Sequence, residues 1–183
     1  MPDVKAAEEV VGFWFQVLTP KQWFAKDDDL DRRIQQDFGM TLEAAAAGEL
    51  WQWRRSARGR LAEIIVLDQF SRNIHRGSAQ AFACDGQALV LAQEAVAQQA
   101  DRKLDVHGRS FLYMPYMHSE SLVVHDEALR LFDQPGLEDN LRYEHLHREI
   151  LARFGRYPHR NEVLGRASTA EELAFLSQPG SSF

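Results

Sequence analysis

The chain contains one cysteine, four lysines and no long apolar run, and each shortage removes a class of protein. A single thiol, Cys84, excludes an internal disulfide, so packing and polar contacts must hold the fold. No stretch approaches the roughly 20 apolar residues that a membrane-crossing helix needs. No charged-then-apolar leader opens the chain, and a soluble cytoplasmic protein is the expectation. Glycine-rich phosphate loops of the Walker and dinucleotide types are missing. So is Gly-x-Ser-x-Gly, and Cys84 has no adjacent base, which leaves nucleophilic catalysis little support. The net charge of −6 opposes approach to nucleic acid or an anionic membrane surface, so neither is an expected partner.

What is present is enough for a core. With 45% apolar and 26% charged residues over 183 positions, the chain fits a single domain, 1–183, with a solvated surface. Helical periodicity runs through it, and strand-like alternation does not persist. Val10, Phe13, Trp14, Val17 and Leu18 share one apolar helix face that Thr19-Pro20 ends. Asp27 to Asp29 offer caps for a second helix that Gly48 closes. A third begins near Gly59 and ends near Asn73. The alanine-rich stretch 81–100 reads as a helix with Asp85 as its cap, and Pro115 is expected to break one helix and open the next. Gln134-Pro135-Gly136 is a turn, 137–154 a helix, and Ser168-Thr169 with Glu171-Glu172 approach a capping box, before a frayed tail. Seven or so helices with short links predict an all-α bundle of antiparallel helical hairpins, although no 34-residue tetratricopeptide period is visible.

Several polar residues interrupt the apolar stripes. In the third helix Leu61, Ile64, Ile65 and Asp68 follow i, i+3, i+4, i+7, so the Asp68 carboxylate points the same way as three core residues. Burying that charge without a partner is costly, and Arg72, one turn on, is the nearest partner. His118, Leu122, His125, Leu129 and Phe132 form a second stripe, and Tyr143, His147, Ile150, Leu151 and Phe154 a third. Facing helices would bring these histidines together with Asp68 or Glu120, a donor set for a transition metal. A lone histidine on an apolar face is more often a hydrogen-bonded core residue, and no His-x-x-x-His or Glu-x-x-His ligand pair on one helix is read in support of a metal, so neither metal nor cofactor is expected. The dipeptide His125-Asp126 puts Asp126 off the stripe of His125, and it is weak evidence for a metal phosphohydrolase. The densest constellation is "RFGRYPHRNEVLGR", residues 153–166, with four arginines and His159 against Glu162. Fixed guanidinium groups in a loop suit a carboxylate or phosphate, or pair with the protein's own acids, such as Asp68 and Glu120.

"GRLAEIIVLDQFSRNIHRG", "FLYMPYMHSE" and "RFGRYPHRNEVLGRASTAEE" together resemble the bacterial family of unknown function DUF924 over nearly the whole chain. The resemblance implies an all-helical, tetratricopeptide-like fold and no established activity. Its signature falls on Asp68, Gln69, Phe70, Arg72, Asn73, Arg76, His118, Ser119, Glu120, Arg156, Pro158, His159, Arg160, Asn161, Gly165 and Arg166. Ser71 stands where the family usually has proline, Tyr157 where phenylalanine is common, and His125 where glutamine is expected.

Three readings follow. A binding scaffold would gather Gln69, Arg72, Asn73, Arg76, Arg156, His159, Arg160, Asn161 and Arg166 around an anionic small molecule or an acidic peptide segment. A hydrolase or lyase would use Asp68, His118 or Glu120 as acid or base on an anionic substrate. A purely structural buried polar network would use all of them to tie helices together.

Overall fold

A computed structural model describes residues 3–182, which are all-α, with no strand among the described residues. Helix α1 (Ala7–Gly12) runs into a π turn at Phe13–Val17. The amide of Leu18 donates to the Phe13 carbonyl five residues back, at 3.1 Å, so the turn holds one residue more than an α turn. That extra residue rotates Val17 out of the stripe expected for it: Val17 is exposed while Val10, Phe13, Trp14 and Leu18 are buried. The short α2 (Pro20–Trp23) carries its proline in the first turn, and Trp23 Nε1 donates to the Trp14 carbonyl. Helix α3 (Asp28–Ala46) is capped by Asp27, whose carboxylate accepts from the amides of Asp29 and Leu30. It buries Leu30, Ile34, Phe38 and Leu42 and stops before Gly48 at φ 75°.

The third predicted helix is three segments in one run: α4 (Ala57–Ile65), a π turn at Val66–Phe70, and α5 (Ser71–Ile74). All five π-turn residues are buried. Phe70 is the apolar anchor of the motif, with ring centroids 4.8 Å from Phe38, 5.7 Å from Trp14 and 6.1 Å from Phe13. Each such pair adds about 1 kcal/mol beyond area burial. Phe70 thus clamps the turn to α3 and to the π turn that follows α1, and the backbone of Asp68 is fixed with it.

Helix α6 (Asp85–Ala97) places Ala88, Ala92 and Ala95 along one fully buried face, where small side chains admit α4 and α7 closely. Asp85 is its first residue rather than its cap; Cys84 holds the cap position, and the Asp85 carboxylate is engaged elsewhere. Helix α7 (Val106–His118) is central and packs against α4, α6, α8 and α9. Pro115 does not break it, contrary to expectation. Every residue from Ser110 to Met117 is buried, and packing on four neighbours offsets the roughly 3 kcal/mol that an interior proline costs. The break comes three residues later, so His118 ends α7, and α8 (Leu122–Phe132) starts a new helix. The histidine stripe drawn through both is therefore interrupted, and Leu122 is exposed.

Helix α9 (Glu138–Phe154) pairs with α8 across the expected turn, where Gly136 adopts φ 88°. Gly155, at φ 70°, ends α9 in the left-handed conformation. Thr169 and Glu172 form the capping box of α10 (Ala170–Leu176). The tail folds back, with Ser181 Oγ donating to the Leu176 carbonyl, and Phe183 lies outside the described residues. No helix of the described residues is long and apolar enough to cross a membrane. The main apolar core runs from Val10 to Leu137, and a smaller one gathers Ile150, Leu151 and Tyr157 with Phe154 and Phe175. The polar motifs join these two cores.

Glycine packing gives a direct test of the α4 geometry. A Cβ on Gly59 would lie 2.0 Å from the Trp53 carbonyl oxygen, whereas one on Gly39, within α3, meets nothing within 4 Å. Gly59→Ala is expected to cost about 2 kcal/mol or more, and Gly39→Ala to gain up to about 1 kcal/mol, by urea denaturation.

Candidate functional site

Asp68 is 1% exposed, and its carboxylate is nonetheless ionised. Burial alone would raise its pKa; His118, Arg72 and the Gln69 amide reverse that and hold it at about 2. Oδ1 faces His118 Nδ1 at 2.6 Å and Arg72 Nη1 at 3.3 Å, while Oδ2 accepts from Gln69 Nε2 at 2.7 Å. An ionised carboxylate can only accept, so Nδ1 carries a proton. The His118 pKa is lowered, first by burial and then by Arg72, so at neutral pH the imidazole is uncharged and its Nε2 is a lone pair. Nε2 hydrogen-bonds to no described residue. It is not among the sealed polar atoms either, and the imidazole keeps 16% of its surface exposed.

Arg72 links this pair to a second carboxylate. Its Nη1 and Nη2 donate to Asp85 Oδ1 and Oδ2 at 2.7 and 3.0 Å, and Nη1 also reaches the Asp68 carbonyl at 2.8 Å. Arg160, 6% exposed, donates from Nη2 to the His118 carbonyl at 2.9 Å and from Nη1 to Asp85 Oδ2 at 3.4 Å. Asp68 and Arg72 from one helical run, Asp85, His118 and Arg160 thus converge from four places in the sequence. Two carboxylates face two guanidinium groups, and the neutral imidazole adds no charge.

The other arginines and amides of the motifs do not reach this cluster. Asn73 and Arg76 both turn to Asp31 on α3, at 2.7 Å for Nδ2 and at 2.5 and 2.9 Å for the guanidinium. Arg166 binds Glu120 through both terminal nitrogens, at 2.7 and 2.9 Å, and the Tyr157 amide donates to the same carboxylate at 2.7 Å. Glu120 is thereby committed to fastening the 156–166 loop. Arg156 pairs with Glu172 at 2.7 and 2.8 Å and holds that carboxyl at about 2, and Asn161 bridges Ser168, Glu172 and Arg166. His159 lies beside Tyr157, with centroids 5.7 Å apart and rings tilted by 39°, and lines a surface groove with Pro158, Glu162 and Ser168. Burial, then Arg160, lowers its pKa to about 4.

A model of the family described as bacterial protein of unknown function (DUF924) matches residues 10–180. The chain belongs to the DUF924 family. It is also similar to the solved structure of a protein of unknown function, ATU0120, from Agrobacterium tumefaciens. The two share 37% identity over 93% of this chain and 96% of that one, with a TM-score of 0.89. No curated protein matches.

In this DUF924 chain one buried pair lies outside the sequence reading. His125 and Glu144, both 0% exposed, face each other through Nδ1 and Oε1. His125 Nε2 meets the Ser119 carbonyl at 2.8 Å, and a carbonyl can only accept, so Nε2 carries a proton. One further proton lies between Nδ1 and Oε1. Burial raises the Glu144 pKa, and its Oε2 is sealed without a partner. Both facts favour a proton on the carboxyl. Contrary to the expectation of no Glu-x-x-His pair on one helix, Glu144-x-x-His147 is one and shares a face with Leu151; Tyr143, assigned to that stripe from its spacing, is exposed. His147, Nδ1 to the Tyr143 carbonyl at 2.7 Å, is lowered to about 3, chiefly by burial. Among the described residues no three His, Cys, Asp or Glu side chains are grouped to hold a metal ion.

Because the folded-state pKa of Glu144 is raised, the folded chain binds more protons than the unfolded one above about pH 4.5. The stability that Glu144 contributes is present below that pH and is lost as pH rises toward the folded value. Glu144→Gln keeps a donor toward Nδ1 and is expected to remove this alkaline loss, whereas Glu144→Ala should cost on the order of 3 kcal/mol near pH 5 and less as pH rises. Denaturant unfolding of both variants between pH 5 and pH 9 checks it.

Proposed function

We propose that this protein is an acid–base enzyme, a hydrolase or lyase acting on an anionic small molecule, with His118 as the proton-transferring group. One observation carries the reading: a buried, ionised Asp68 holds His118 by Nδ1 and leaves Nε2 unpartnered. In that arrangement Nε2 takes a proton from a bound hydroxyl, water or carbon acid. Asp68 stabilises the resulting imidazolium without itself becoming protonated, because Arg72 and the Gln69 amide help to hold its carboxyl well below the usual carboxylate range. Gln69 and Arg72 orient Asp68, and they act through it rather than on the substrate.

The rival reading, an arginine-lined scaffold, draws less support, because Arg76, Arg156 and Arg166 are each engaged by a carboxylate of the protein. Glu120 is likewise occupied, so the acid–base role falls to His118, with Asp68 holding it.

p-Nitrophenyl acetate, an uncharged ester, tests the dyad without a known substrate. Wild-type protein is expected to hydrolyse it with a rate that rises through a pKa below 6.5, as His118 loses its proton. His118→Gln and Asp68→Asn should each lose on the order of 10²-fold or more. No turnover above buffer, or full turnover in His118→Gln, contradicts the proposal.

A further inference from the structure

Among the described residues Asp85 hydrogen-bonds to neither Asp68 nor His118, yet it meets both of the arginines that do. Arg72 gives Asp85 Oδ1 and Oδ2 its two terminal nitrogens, at 2.7 and 3.0 Å, and stands 3.3 Å from Asp68 Oδ1. That same Asp68 oxygen accepts from His118 Nδ1 at 2.6 Å. A guanidinium is a stronger donor to a carboxylate than a neutral imidazole, so an Arg72 released from Asp85 competes with His118 for Oδ1. Arg160 is the second arm of the same acid. Its Nη1 lies 3.4 Å from Asp85 Oδ2, and its Nη2 donates to the His118 carbonyl at 2.9 Å.

We infer that Asp85 is a positioning residue of the acid–base site: it holds Arg72 by both terminal nitrogens and so keeps Asp68 Oδ1 committed to His118 Nδ1. This rests on the acid–base reading and adds to it a residue that acts through two others on the proton-transferring ring. Charge gives the same assignment. The groups that face His118 are Asp68 and Arg72 from the α4–α5 run, Asp85 from α6, His147 from α9, and His159 and Arg160 from the C-terminal loop. His147 and His159 are lowered to about 3 and about 4, chiefly by burial, and are neutral at pH 7. The balance is then two carboxylates against two guanidinium groups. Without Asp85 it is one against two, and the excess positive charge opposes an imidazolium at His118.

The Nδ1–H resonance of His118, followed by NMR of the full chain at pH 7, reads this role. In Asp85→Asn the proton is expected to move upfield and to exchange with water about tenfold faster, because Arg72 now competes for its acceptor. The Nε2–H of His125, which donates to the Ser119 carbonyl, is the control and should keep its wild-type exchange. Asp85→Glu retains the charge and should stay near wild type. In an Arg72→Gln background Asp85→Asn should have a much smaller effect, since the competing donor is gone. Asp85→Ser removes the same charge and carries the test where Asp85→Asn does not fold. A His118 Nδ1–H that is absent from the wild type or unchanged in Asp85→Asn, an equal loss at His125, or an undiminished effect beside Arg72→Gln overturns the inference. Hydrolysis of p-nitrophenyl acetate separates the two proposals. In Asp85→Asn its rate should rise through a pKa about one unit lower than in the wild type, and a shift upward contradicts the role. If hydrolysis requires His118 while Asp85→Asn leaves the resonance unchanged, the positioning role falls and the dyad stands. If no turnover is found while the resonance moves as expected, the acid–base reading falls and the hold of Asp85 on Arg72 stands.

Discussion

The arrangement of this molecule turns on one buried charge, the carboxylate of Asp68. Removing an ionised carboxylate from water costs several kcal/mol, and only close, well-directed partners offset that. Gln69 and Arg72, on the same helical run, supply two of them, and His118 at the end of α7 supplies the third. Arg72 in turn brings its own buried charge, and Asp85 at the start of α6 meets it. Asp85 touches Arg160, and Arg160 returns to the His118 carbonyl. A closed circuit of contacts follows from a single inward-facing acid, and it binds α4–α5, α6, α7 and the C-terminal loop to one point.

Two further circuits hold that point in place. Phe70 anchors its π turn in the aromatic cluster of Phe38 on α3 and Trp14 in the turn after α1, so Asp68 has no freedom to turn outward. On the far side of the α7–α8 break, His125 holds the Ser119 carbonyl and Tyr157 O–H donates to the Met117 carbonyl at 2.6 Å. The backbone on both sides of His118 is therefore tied by buried donors. The Glu120–Arg166 pair fastens the loop that carries Arg160. Most of the charged residues in the motifs build this frame, and the frame leaves His118 Nε2 unused at a partly exposed imidazole.

Local features were legible in the sequence because they depend on residues close along the chain. The caps at Asp27 and Thr169, the stop at Gly48 and the inward direction of Asp68 with Arg72 beside it all belong to that kind. Partners across helices were not, because period and spacing say which face a residue takes but not what lies opposite. Asp31 as the partner of Asn73 and Arg76, Asp85 as that of Arg72, and Glu144 as that of His125 depend on how helices cross. The π turns at Phe13–Val17 and Val66–Phe70 escaped for a different reason: one extra residue per turn leaves the apolar pattern almost unchanged and moves only the residues after it. Pro115 misled because its intrinsic cost is local while the packing that offsets it is not.

The role of His118 depends on which of its nitrogens bears the proton, and nitrogen-15 chemical shifts of the imidazole at pH 7 measure it directly. A protonated Nδ1 and an unprotonated Nε2 in the wild type, with that preference lost in Asp68→Asn, is the predicted result. A proton on Nε2, or a fully protonated ring, would mean that Asp68 does not hold the imidazole as described, and the acid–base reading would fall with it.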